Sequence, residues 1–91
     1  MIVKKNITKY SVEYTLIQGD KVFQFIEYTD DLWADKKMYP NDNKPMFPKG
    51  YTDFSQRGEH IGLGYMWFPA TNKNITNIKD AKKFVRNREY L

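Results

Sequence analysis

Ninety-one residues suit one domain with a single core, and 41% apolar with 16% aromatic residues favours a folded chain over a disordered one. The lack of cysteine excludes a disulfide framework, thiolate metal sites and a thiol nucleophile. The net charge of +4 divides into +3 over residues 1–9, −3 over residues 10–60 and +4 over residues 61–91, a sign that speaks against a DNA mimic.

The N-terminal stretch MIVKKNITKY has no long apolar run, so it reads as neither a signal peptide nor a membrane span. A cytoplasmic protein with no membrane partner is expected. Lysine outnumbers arginine twelve to three, and Asn and Ile occur seven times each, the usage of an AT-rich genome such as a low-GC bacterium or its phage. Ile2 to Lys5 reads as a short strand at a sheet edge, where lysines discourage further pairing.

The strongest local signal is YSVEYTLIQ-GD-KVFQFIEYT, two alternating runs around a Gly19-Asp20 turn. A two-residue turn pairs Gln18 with Lys21, and the register then follows. Leu16 faces Phe23, Tyr14 faces Phe25 and Val12 faces Glu27 on one side. Ile17 with Val22, Thr15 with Gln24, and Glu13 with Ile26 share the other. The first side calls for a core, and the second, half polar, suits water.

For TDDLWADKKMYP the pattern predicts a helix of about two turns, with Thr29 or Asp30 as cap, Lys36 and Lys37 in the last turn and Pro40 as stop. The alternative is a structured loop anchored by Trp33. Residues 40–58 read as an irregular segment, broken by Pro40, Pro45, Pro48, Gly50 and Gly58. It carries Met46, Phe47, Tyr51 and Phe54, either as a lid folded on the core or as a surface kept for a partner.

HIGLGYMWFP reads as a strand with Leu63, Tyr65 and Trp67 on one face and Met66 and Phe68 on the other. Apolar residues on both faces predict an interior strand ended by Pro69, with Gly62 and Gly64 marking a bulge or a close approach. Asn77 then caps a helix with Asp80 three residues on. Ile78, Ala81, Phe84 and Val85 form its apolar stripe, to dock on the aromatic side of the hairpin, and Lys79, Lys82, Lys83 and Arg86 lie roughly opposite.

Catalytic constellations fail on inspection. His60, the single histidine, has Glu59 and Asp53 in its neighbourhood, but no serine in a context that would activate it. Asp30, Asp31 and Asp35 have helix-start spacing, and Asn41-Asp42-Asn43 lacks the twelve-residue pattern of a calcium loop. Gly58, Gly62 and Gly64 precede a strand and no Lys-Ser or Lys-Thr pair, so they make no phosphate cradle. No catalytic residue, cofactor or metal is assigned.

The fold class expected is therefore α+β: an antiparallel sheet of three or four strands with an N-terminal hairpin and a C-terminal helix on one face. The expected function is non-enzymatic binding to a partner protein's surface, in the manner of a phage or mobile-element accessory inhibitor of a host defence factor. Its candidate residues are Met46, Phe47, Tyr51, Phe54 and Arg57, types enriched at interface centres. The alternative is nucleic-acid binding by Lys79, Lys82, Lys83 and Arg86, joined by Lys4 and Lys5. An exposed edge strand or loop also leaves a homodimer open.

Overall fold

The structure is a computed structural model that describes residues 1–60, 62 and 64–90, His60 by its backbone alone. Five strands, β1 (Ile2–Ile7), β2 (Ser11–Gln18), β3 (Lys21–Tyr28), β4 (Thr52–His60) and β5 (Gly64–Pro69), precede one helix, α1 (Ile78–Arg86). The strands form one antiparallel sheet in chain order, so each pairs with its sequence neighbours. Among the described residues no helix is long and apolar enough to cross a membrane.

The β2–β3 hairpin has the register that its turn dictates: Gln18 opposite Lys21, Leu16 opposite Phe23, Tyr14 opposite Phe25 and Val12 opposite Glu27. Gly19 takes φ 61°, in the left-handed region that such a turn needs and that glycine enters without strain. The next registers carry the same face outward across the sheet. Val3 pairs with Leu16, Phe25 with Phe54, Phe23 with Gln56, and Gln56 with Phe68.

On that face lies the core: Leu16, Phe23, Phe25 and Phe54 from the sheet, and Ala81, Phe84 and Val85 from α1, all buried. Phe23 stands 5.9 Å from Phe54, near parallel, and Phe84 meets both rings edge-on at 6.4 and 5.4 Å. Such offset and edge arrangements add to the area term for burying rings.

The helix is held at both ends. At its start the Asp80 amide donates to Asn77 Oδ1 at 2.8 Å, and Asn77 Nδ2 donates to Asp80 Oδ2 at 2.9 Å. At its end the Glu89 amide donates to the Phe84 carbonyl and the Arg88 amide to the Val85 carbonyl, both at 3.1 Å. This is a Schellman closure with Arg88, at φ 52°, where glycine is usual. The reversal returns Tyr90 to within 4.9 Å of Phe23, and Lys73 Nζ holds Glu89 Oε1 at 2.7 Å.

Three expectations are corrected. The sheet has five strands, not three or four, because residues 52–58, read as part of an irregular segment, belong to Thr52–His60, which pairs on both sides. The helix of about two turns expected after the hairpin does not form: residues 31–40 hold a bridge at Leu32 and one isolated turn, in which the Asp35 carbonyl accepts from the Met38 and Tyr39 amides. The structured loop, the other reading, is what forms. Gly64–Pro69 is an edge strand rather than an interior one, since only β4 pairs with it. The face predicted for Leu63 and the readings of Ile61 and the His60 side chain lie outside the described residues.

Candidate functional site

Between Tyr28 and Thr52 the chain makes a long excursion whose base continues the β3–β4 ladder. The Tyr28 amide donates to the Tyr51 carbonyl at 2.9 Å, and the Gly50 amide to the Tyr28 carbonyl at 2.8 Å. Gly50 turns there at φ 89°. Farther out, Leu32 and Phe47 exchange both backbone bonds, at 2.8 and 3.0 Å. Asp31 Oδ1 accepts from the Lys49 amide at 2.8 Å. The loop also leans on the β1–β2 turn, where the Tyr10 carbonyl accepts from the Thr29 amide at 2.8 Å.

An aromatic stack closes this base. Tyr28 and Phe47 lie 4.9 Å apart at 9°, and Tyr51 packs 5.5 Å from Phe47. Burial pushes the Tyr28 phenol above the ordinary tyrosine value of 10.0, with smaller contributions from the charges of Asp53 and Glu13 and from Tyr51.

Beyond the base, the tip spreads apolar side chains into solvent. Trp33, Met38, Tyr39 and Met46 are between 42% and 70% exposed. Lys36 Nζ sits 4.9 Å over the Trp33 ring, and the Asp35 carbonyl accepts from the Tyr39 amide at 2.8 Å to shape the turn. Tyr39, Pro45 and Met46 help line an open cleft of about 340 Å³, with Asp42, Asn43 and Lys44 at its polar side. Residues 29–51 hold four aspartates and four lysines, so the loop is locally neutral.

The five residues assigned to a partner surface therefore separate. Met46 is at the tip; Phe47, half-buried, and Tyr51 belong to the base that supports it. Phe54 is not a loop residue: it lies in β4 and is a buried member of the core. Arg57 is on β4 too, on the sheet face away from α1, with its guanidinium 4.5 Å from the Tyr65 ring centre. Trp33, Met38 and Tyr39 escape the sequence reading because a helix over TDDLWADKKMYP does not set them apart as a partner surface. The available signal was the density of aspartate, lysine and proline around them, which suits an exposed turn.

The basic set is brought together on α1. Lys79, Lys83 and Arg86 are exposed and Lys82 is half-buried. Lys4 and Lys5 cannot both join it, because adjacent strand residues point to opposite faces: Lys5 pairs with Tyr14 on the helix side, and Lys4 with Thr15 on the other. Among the described residues, no three acidic or histidine side chains gather as a metal-binding group. No protein-family model, curated protein or solved structure matches this chain.

Proposed function

We propose that this is a non-enzymatic binding protein that acts by occupying the surface of a partner protein through the tip of the 29–51 loop. One observation carries the reading: a hydrogen-bonded, stacked base holds up a tip on which Trp33, Met38, Tyr39 and Met46 are solvent-exposed. A pre-ordered loop loses less entropy on binding, and Trp, Tyr and Met are the anchors that such contacts favour. Blocking a host factor is the role we assign to this mode. Its support is the chain's small size and AT-rich residue usage, not a particular side chain.

The test is affinity capture of the tagged protein from a low-GC bacterial lysate, with and without nuclease. Wild type is compared with Trp33→Ala/Tyr39→Ala and with Lys79→Gln/Lys83→Gln. A stoichiometric protein should survive nuclease, be lost with the loop variant and be kept by the helix variant. Because the loop is locally neutral, its retention should depend weakly on salt. Capture that vanishes with nuclease, or that follows the helix variant, overturns the reading in favour of nucleic-acid binding by Lys79, Lys82, Lys83 and Arg86.

A further inference from the structure

The two edges of the sheet are built differently. β1 carries Lys4 and Lys5, the positive residues that keep an edge from pairing with another chain. β5 reads GYMWFP and has no charge. Its Tyr65, Met66, Trp67 and Phe68 are between 37% and 70% exposed, on both faces of the sheet.

The backbone of β5 shows which groups are free. The Ala70 amide donates to the Phe54 carbonyl at 3.1 Å, and the ladder places Gly64 opposite His60, Met66 opposite Gly58 and Phe68 opposite Gln56. Inward and outward bonding alternate along an antiparallel strand. Gly64, Met66 and Phe68 thus turn their amides and carbonyls toward β4, while Tyr65 and Trp67 turn theirs outward. Pro69 is the next outward position, and it has no donor to offer.

We propose that β5 pairs antiparallel with β5 of a second copy, about a two-fold axis at Met66, to make a continuous ten-stranded sheet. This register sets Tyr65 opposite Trp67 of the other copy, so the pair exchange both backbone bonds. Four bonds form across the axis and every free donor of Tyr65 and Trp67 is used. Pro69 falls outside the pairing, where its missing donor costs nothing.

The side chains agree with that register. On the open face Tyr65 stands against Trp67, an aromatic cross-strand pair. On the helix face the two Met66 side chains meet at the axis, and each Phe68 lies opposite Gly64, where no side chain competes for space. Phe68 already uses the same device within the chain: a Cβ at Gly58 would come within 2.8 Å of its ring. No like charges oppose each other within the paired strands. A two-fold contact made by β1 would instead bring lysine-bearing strands together.

Whole aromatic side chains bury about 150–250 Å² each, so these exposures leave roughly 400 Å² per copy and about 800 Å² in the pair before backbone is added. That is the low end for a specific contact, which makes the dimer reversible rather than obligate. The surface is separate from the loop tip, and the inference does not rest on the loop reading.

The absence of cysteine from the chain makes the register testable with single cysteines. Residues opposite each other in a non-hydrogen-bonded pair have Cα atoms about 4.5 Å apart, within the span of a disulfide. Two copies of residue 68 would be offset by about 13 Å along the strands. Under mild oxidation Met66→Cys should form a disulfide dimer at least tenfold faster than Phe68→Cys, by non-reducing electrophoresis. Wild type should move from monomer to dimer in sedimentation velocity between about 5 and 500 μM, the span that brackets a dissociation constant in the tens of micromolar. Met66→Lys, with an unchanged circular dichroism spectrum, should push the midpoint at least tenfold higher. Wild type that stays monomeric throughout, a species larger than a dimer, or equal cross-linking of the two cysteine variants overturns the proposal.

Discussion

Two aromatic clusters lie on opposite faces of one sheet and meet different fates. Phe23, Phe25 and Phe54 on the helix face are buried to 8% exposure or less under Phe84 and the rest of the α1 stripe. Tyr28, Phe47 and Tyr51 stack as closely, yet none is fully buried. The residue types are nearly the same. What differs is the second layer: a capped helix closes over one cluster, and only the loop's own backbone supports the other. Burial here follows what lies on top of a ring, since a sheet face stays dry only when another element covers it.

Truncating a ring on each side should show this contrast most plainly. Phe23→Ala removes a fully buried side chain in contact with Phe54, Phe84 and Tyr90, and should cost about 3–5 kcal/mol in urea unfolding. For a small domain that is a large share of the total stability. Phe47→Ala should cost less, about 1–2 kcal/mol, because its ring is only partly buried and no second layer covers it. Its effect should also be local. Hydrogen exchange should quicken at the amides of Leu32 and Phe47 while the β2–β3 amides keep their protection. Equal costs for the two variants would erase the distinction between a covered core and a supported loop.

The lid itself can be loosened without touching a ring. Asn77→Ala leaves the Asp80 amide without its acceptor and should lower stability by about 1 kcal/mol in thermal or urea unfolding, whereas Asn77→Ser should recover most of it. A change confined to the α1 amides in hydrogen exchange, with global stability kept, would place the helix outside the cooperative core.

The smallest effect expected is one of pH. The Tyr28 phenol is raised above 10.0 in the folded chain, so the unfolded chain gives up that proton first. Its contribution is complete below about pH 10 and is lost as the pH rises through the higher folded value. Unfolding midpoints above pH 10 should therefore fall more steeply for wild type than for Tyr28→Phe. Parallel slopes would mean that the stack leaves the phenol as solvated as in the unfolded chain.

Local order was legible wherever neighbours along the chain impose it. The Gly19-Asp20 turn leaves one register open to β2 and β3, and the pairing of Leu16 with Phe23 and Tyr14 with Phe25 follows from that turn alone. Asn77, Asp80 and the spacing of Ala81, Phe84 and Val85 define the helix and its buried stripe in the same way. Other features depend on partners distant in sequence, and the chain by itself could not show them. TDFSQRGEH has little strand character of its own; Thr52–His60 is a strand because β3 and β5 supply ladders on both sides. The aromatic content of GYMWFP suits a central strand, and only the order of pairing sets it at the edge. In the candidate site, the sequence marked an aromatic loop, but the Leu32–Phe47 bridge and the Tyr28 stack decided which rings support it and which face solvent. Turns and caps are satisfied within a few residues, whereas burial and edge position are settled only when the whole sheet has assembled.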